Sequence, residues 1–192
     1  MIRQRKHQWI LFLSVLMAGI GAFWMLSWDS DENLVYESIL REEFDGSGVS
    51  YYVILDITRP MTRFGVSSFH AKELGLSRST RIDYSIKNLF NFHIRPNFDL
   101  PHPFTTISES DLEAVYKLGQ NETMEVKKLK SLLGRSWGVI TLSRAGFDIS
   151  HRHAVVYTQL TYCGLCGGGR YVYLSKETGV WRVVGCSWTW VS

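Results

Sequence analysis

Apolar and polar positions alternate most regularly between Ser136 and Ser192. Residues 138–143, 154–162, 171–176 and 180–191 are rich in Val, Ile, Tyr, Trp and Thr, the residues that fit a pleated, half-buried surface. Turn signals separate them: Phe147 to His153, then Cys163-Gly-Leu-Cys166-Gly-Gly-Gly-Arg170, then Lys176 to Gly179. Connections this short predict antiparallel hairpins, because a parallel crossover needs a dozen or more residues. The expected product is a four-stranded β-meander over residues 136–192. Pairing Lys176 with Val180 sets Arg170 opposite Cys186. In the preceding hairpin Tyr162 falls opposite Tyr171. That register gathers all three cysteines at one end of the sheet and leaves His151 and His153 roughly 30 Å away. Strict alternation places Trp188 and Trp190 on one face and Trp181 on the other.

Upstream the period changes to that of a helix. Val35 and Ile39, and Leu40 and Phe44, recur at i,i+4 in a stretch that Ser30 or Asp31 can cap, which predicts a helix over 32–44. Residues 51–57 read as a buried strand, stopped at Pro60. Short helices follow over 71–76 and 81–90, the second with Ile82, Ile86, Leu89 and Phe90 inward. Pro96, Pro101 and Pro103 make 91–104 an extended loop. Ser108 to Asp111 matches a capping box, and a last helix covers 122–133, stopped by Gly134. The expected fold is α+β: a helical N-terminal half packed on the C-terminal four-stranded antiparallel meander, in a single domain over 29–192.

The N-terminus carries its own pattern. Trp9 to Trp28 is free of charge, long enough to cross a hydrocarbon core, and bracketed by tryptophans. Arg3, Arg5 and Lys6 precede it, and Asp29, Asp31 and Glu32 follow. Residues 1–8 are therefore expected to be a cytoplasmic basic tail and 9–28 a transmembrane signal-anchor, the chain's contact with the membrane. The positive-inside rule then makes this a single-pass protein with its C-terminal domain extracytoplasmic, periplasmic or extracellular. A cleaved signal peptide is the rival reading. Of 21 basic residues, three precede residue 9, which leaves 18 against 18 acidic ones from Asp29 on. A neutral domain has no basic face for nucleic acid, so no nucleic-acid partner is expected.

Chemistry is sparse. Three cysteines in an exported chain fit one disulfide, Cys163–Cys166, and a leftover thiol at Cys186. A thioredoxin-like role needs a helix after the first cysteine, and glycines and a strand follow here. Zinc is the weak alternative, with Cys163, Cys166 and Cys186 as three of four ligands; no metal or cofactor is favoured. Gly167 to Gly169 beside Arg170 can offer N–H groups to an anion, or can simply permit tight bending. His151 and His153 lie in a turn without a third ligand nearby. Asp56, in an apolar strand, and Arg144, at a strand end, are candidate site-lining residues with Arg170. Arg144 is also a candidate ion-pair partner for Asp56 or Glu37. No Gly-x-Ser-x-Gly nucleophile motif occurs. An exposed Trp188 would mark a partner or carbohydrate surface.

The block Gly138-Val-Ile-Thr-Leu-Ser-Arg-Ala-Gly-Phe-Asp148, Ala154-Val-Val-Tyr157, Cys163-Gly-Leu-Cys166, Gly179-Val-Trp-Arg-Val183 and Trp190-Val-Ser192 resembles an uncharacterised family of bacterial exported, membrane-anchored proteins. The order it shares with that family is "lSRvGF, ALVY, CGxLCGxG, GxWxV, WxS"; Cys186 lies outside it. The resemblance implies export and a common threading, and it brings no activity. The expected function is a non-catalytic binding or envelope-interaction module whose partner is an envelope protein or a glycan. The alternatives are an enzyme with a pocket between helices and sheet, and a cysteine-based zinc or redox module.

Overall fold

The computed structural model describes residues 30–44, 50–61, 65–116, 124–134, 136, 138–162 and 166–192. In chain order the elements are α1 (Ser30–Phe44), β1 (Tyr52–Leu55), α2 (Ser68–Glu73), α3 (Arg78–Lys87), β2 (Phe104–Ile107), α4 (Glu109–Tyr116), α5 (Met124–Leu133), β3 (Val139–Leu142), β4 (Gly146–Phe147), β5 (His153–Thr161), β6 (Gly167–Ser175) and β7 (Arg182–Val191).

The strands form one mixed seven-stranded sheet in the order β2-β1-β3-β5-β6-β7, with β4 paired to β5. This corrects the expected fold. The first half is not a helical layer over a four-stranded meander; it contributes two strands, and β1 runs parallel to both β2 and β3. The physical reason lies in β1 itself. All four of its residues are buried, and a strand apolar on both sides is a central strand that needs a neighbour at each edge. β2 and β3 supply them, each through a helical crossover. The β3-β5-β6-β7 part is antiparallel, as the short connections predict.

Side-chain alternation divides the core. On one face α1 packs Val35, Tyr36, Ile39 and Leu40 onto Ile54, Ile140, Leu142, Val156, Val172 and Leu174. On the other, Ala71, Leu74 and Tyr84 from α2, α3 and the turn between them meet Val155, Tyr157 and Tyr171. Leu112, Leu129 and Leu133 of α4 and α5 cover Val53, Leu55, Ile107 and Val139 on that same side.

Helix starts follow their caps. Ser77 Oγ accepts from the N–H of Thr80 at 3.1 Å, so α3 begins at Arg78, ahead of the expected start at residue 81. Its inward residues are Thr80, Tyr84 and Lys87, while Ile82, Leu89 and Phe90 are exposed. The Ser108 box forms as expected: Ser108 Oγ accepts from the N–H of Asp111, and Asp111 Oδ2 accepts from the N–H of Ser108.

Further expectations need correction. No described helix is long and apolar enough to cross a membrane, and the expected span, residues 9–28, lies outside the described residues. Cys186 is a free thiol, Cys166 is disulfide-bonded, and Cys163, the other half of the expected staple, lies outside the described residues. The register also differs. Arg170 faces Trp188, not Cys186, and Tyr171 faces Tyr157, not Tyr162. Cys186 instead faces Val172, six positions beyond Cys166 along β6. That is about 20 Å at ~3.3 Å per residue, so Cys186 sits in mid-strand, away from the glycine end.

Candidate functional site: an open groove at the glycine end of the sheet

β6 begins with three consecutive glycines, and the next strand closes over them. Two register shifts interrupt the β6–β7 ladder, the first between Gly169 and Arg170. There Gly169 faces Trp190 and Arg170 faces Trp188, so Thr189 is an extra residue. A bulge of this kind breaks alternation. Trp188 and Trp190 therefore leave opposite faces, against the strict alternation expected. A Cβ on Gly168 would lie 3.1 Å from Trp188 Cζ3, whereas one on Gly169 would collide with Tyr157 Oη and lie 2.5 Å from Trp190 Nε1. The glycines make room for two indoles, one on each side of the sheet. Trp190 is half-buried and donates from Nε1 to Tyr157 Oη at 2.9 Å.

Trp188 belongs to an open groove of about 230 Å³. Its described lining includes Ile140, Leu160, Gly167, Gly168 and Val191, with Thr158, Tyr162 and Arg170 as polar side chains on the same face by alternation. Trp188 is 55 % exposed and Tyr162 56 %. The Arg170 guanidinium lies 5.0 Å from the Trp188 ring centroid, and its Nη1 is 3.8 Å from Cys186 Sγ. Arg170 also borders a neighbouring hollow with Glu42, whose Oε2 accepts from the N–H of Val183 at 3.3 Å. Arg170 is the one described lining residue of the groove charged at neutral pH.

The three expected site-lining residues do not converge. Arg144 is fully buried and pairs with Glu32, also fully buried, rather than with Asp56 or Glu37. Its Nη2 donates to Glu32 Oε2 at 2.7 Å, its Nε lies 3.1 and 3.2 Å from the two carboxylate oxygens, and the N–H of Ala145 donates to Oε1 at 2.8 Å. Asn88 brackets the Arg144 backbone from both sides: Oδ1 accepts its N–H at 2.9 Å and Nδ2 donates to its carbonyl at 3.0 Å. The Phe92 ring covers the guanidinium at 4.9 Å. Burial works against the charged guanidinium, but the bonds and charge of Glu32 outweigh it and raise its pKa. The pair clamps the start of α1 to the β3–β4 corner. Asp56 lies elsewhere, 3.8 Å from His93 Nδ1.

The two histidines of the β4–β5 turn have other work. Asp148 Oδ1 accepts the N–H groups of Arg152 and His153 at 2.9 and 3.1 Å, while Oδ2 meets Ser150 Oγ and His153 Nδ1 at 2.7 and 3.0 Å. Burial raises the Asp148 pKa, but these bonds, His153's first, outweigh it and hold the carboxyl well below its usual value. His151, at φ 51°, stacks on Phe147 with ring centroids 5.0 Å apart.

One constellation carries the residue types of a hydrolase. His70 Nδ1 lies 2.6 Å from Ser187 Oγ, and the same hydroxyl donates to Glu73. In a nucleophilic triad the acid orients the histidine and the histidine faces an accessible hydroxyl. Here the acid takes the hydroxyl itself, and Ser187 is only 1 % exposed. The cluster ties α2 to β7 beneath the sheet. Among the described residues no three or more of His, Cys, Asp and Glu gather as metal ligands.

Sequence reading missed Glu32 as the partner of Arg144 and His70 as the partner of Ser187, because 112 and 117 positions separate them and no local pattern links them. The Asp148 turn had a signal: Asp followed by Ser and His between two strands. No family model matches the chain, and no curated protein or solved structure matches it either.

Proposed function

We propose that this chain is a non-catalytic binding module whose ligand seat is the groove at the start of β6, and that its ligand is a glycan. The observation that carries the reading is the exposed Trp188, held over Gly168 by the β7 bulge and flanked by Tyr162, Thr158 and Arg170. An indole at a groove mouth presents a flat apolar face with little side-chain entropy to lose on binding. Sugar rings match such a face with their C–H surface, while hydroxyl and guanidinium groups take their polar edge. The fully engaged Arg144–Glu32 pair and the buried Ser187 support a structural role for the polar groups most suited to catalysis. An extracytoplasmic location, where envelope glycans are met, is part of the same proposal and rests on sequence alone.

The test is a tryptophan-fluorescence titration of the full chain with a soluble digest of peptidoglycan and with neutral hexose oligomers. Saturable quenching that Trp188→Ala removes, with the melt unchanged, is the expected result. Quenching that survives Trp188→Ala would place binding elsewhere.

A further inference from the structure

We infer that the domain rests on a lipid bilayer surface with the end where α1 begins, its exposed apolar tips at the level of the headgroups; this goes beyond the binding-module reading and does not depend on it. Four elements meet at that end. Asp31, in the first turn of α1, holds Lys176 Nζ of the β6–β7 turn at 3.1 Å. The N–H of Lys176 donates to the carbonyl of Arg152 in the β4–β5 turn at 2.7 Å. Glu32 holds Arg144, and Asn88, just after α3, brackets the Arg144 backbone in turn. Each element adds exposed apolar side chains: Leu34 from α1, Val180 and Ile149 from the two turns, Leu89 and Phe90 after α3. Ile149 is 89 % exposed and Phe90 65 %. Leu34 and Val180 line one hollow with Trp181. A single exposed apolar residue is ordinary, but several gathered at one end mark a contact surface.

Where the chain enters this end identifies the occupant. Residues 9–28 carry no charge, and a run of that length is kept from water by hydrocarbon. Residue 29 alone separates it from Ser30, the first residue of α1. Lipid that takes up the run is therefore brought against the α1 end of the domain. Charge in the two turns is balanced, Lys176 and Arg152 against Asp148 and Glu177. The contact is thus apolar in origin and should persist as salt rises. The glycine groove lies at the other end of β6, roughly 25 Å off at ~3.3 Å per strand residue. It is left facing away from the bilayer, open to a glycan.

The test uses the full chain, isotope-labelled, in nanodiscs of phosphatidylethanolamine and phosphatidylglycerol with a gadolinium chelate on a fraction of the headgroups. Amides of Leu89, Phe90, Ile149 and Val180 should lose most of their intensity, and those of Gly168, Gly169 and Val191 should keep theirs. Raising salt should change neither. Ile149→Asp with Val180→Asp, both in exposed turns, should restore the signals of Leu89 and Phe90 without lowering the melt. Phe69→Asp, exposed on α2, should leave the loss in place. Equal loss along the whole domain, or loss centred on the glycine end, overturns the inference. Silence at all four tips, as when a second copy or residues 9–28 themselves cover them, overturns it too. Loss at Leu89 and Phe90 that survives the double variant, or that salt abolishes, overturns the role of the apolar tips.

Discussion

Replacing Glu32 with Gln opens the most heavily bonded polar contact of the core from one side. The native carboxylate faces Arg144 Nε at 3.1 and 3.2 Å, Nη2 at 2.7 Å and the N–H of Ala145 at 2.8 Å, and neither charged side chain is exposed at all. Gln keeps one acceptor, turns an NH2 group toward guanidinium donors, and leaves the Arg144 charge uncompensated. Breaking a buried pair from one side costs about 3–5 kcal/mol. A domain of this size loses ~2–4 °C of melting temperature per kcal/mol. The melt should therefore fall by roughly 6–20 °C. Removing both charges is different, since apolar residues of similar volume replace a buried pair at little cost. Glu32→Met with Arg144→Met should recover most of the loss. Thermal melts of the parent, Glu32→Met, Arg144→Met and the double variant, with Glu32→Gln alongside, followed by circular dichroism, measure it. A single variant within about 2 °C of the parent, or a double variant as unstable as the summed singles, would refute the clamp.

Three further outcomes follow from the same structure. Gly169→Ala must push Tyr157 or Trp190 aside, so a loss of about 1–3 kcal/mol is expected in urea melts; an unchanged midpoint would mean the bulge relaxes freely. The folded-state pKa of Asp148 lies below its unfolded value of ~3.9, so its contribution is complete above that pH and lost as pH falls toward the folded value. Asp148→Asn should lower stability at neutral pH and flatten the acid limb, and identical pH profiles would count against the turn. Ser187 should turn over no activated ester, and p-nitrophenyl acetate hydrolysis that Ser187→Ala abolishes would make the His70 cluster catalytic.

The parts of the fold legible in the sequence were those governed by local pattern. β5, β6 and β7 carry dense β-formers between turn signals, and each lies within a few residues of its expected place. The Ser108 box fixed the start of α4. What escaped was set by partners far away in the chain. β2 is Phe-Thr-Thr-Ile directly after Pro103, too short and too polar to stand out from the loop before it; it is a strand because β1 needs a neighbour. The Thr189 bulge has no composition of its own, yet it decides that Trp188 and Trp190 part company, and with that where the groove lies. Arg144 was recognisable as a clamp, but its partner was not: Glu32 reads as one more acid in a helix's first turn. For the groove, Trp188 and Arg170 were each visible as candidates, and only the sheet register brings them together.

The most direct test of the binding groove is a nitrogen–proton correlation spectrum of the labelled full chain during titration with the soluble peptidoglycan digest, with the indole N–H of Trp188 assigned by its Ala variant. The expected result is saturable shifts at the Trp188 indole and at backbone amides of Thr158, Leu160, Gly168 and Arg170, with the indoles of Trp181 and Trp190 still. Shifts centred on α4, α5 or the Asp148 turn, with Trp188 unmoved at saturation, would contradict the account.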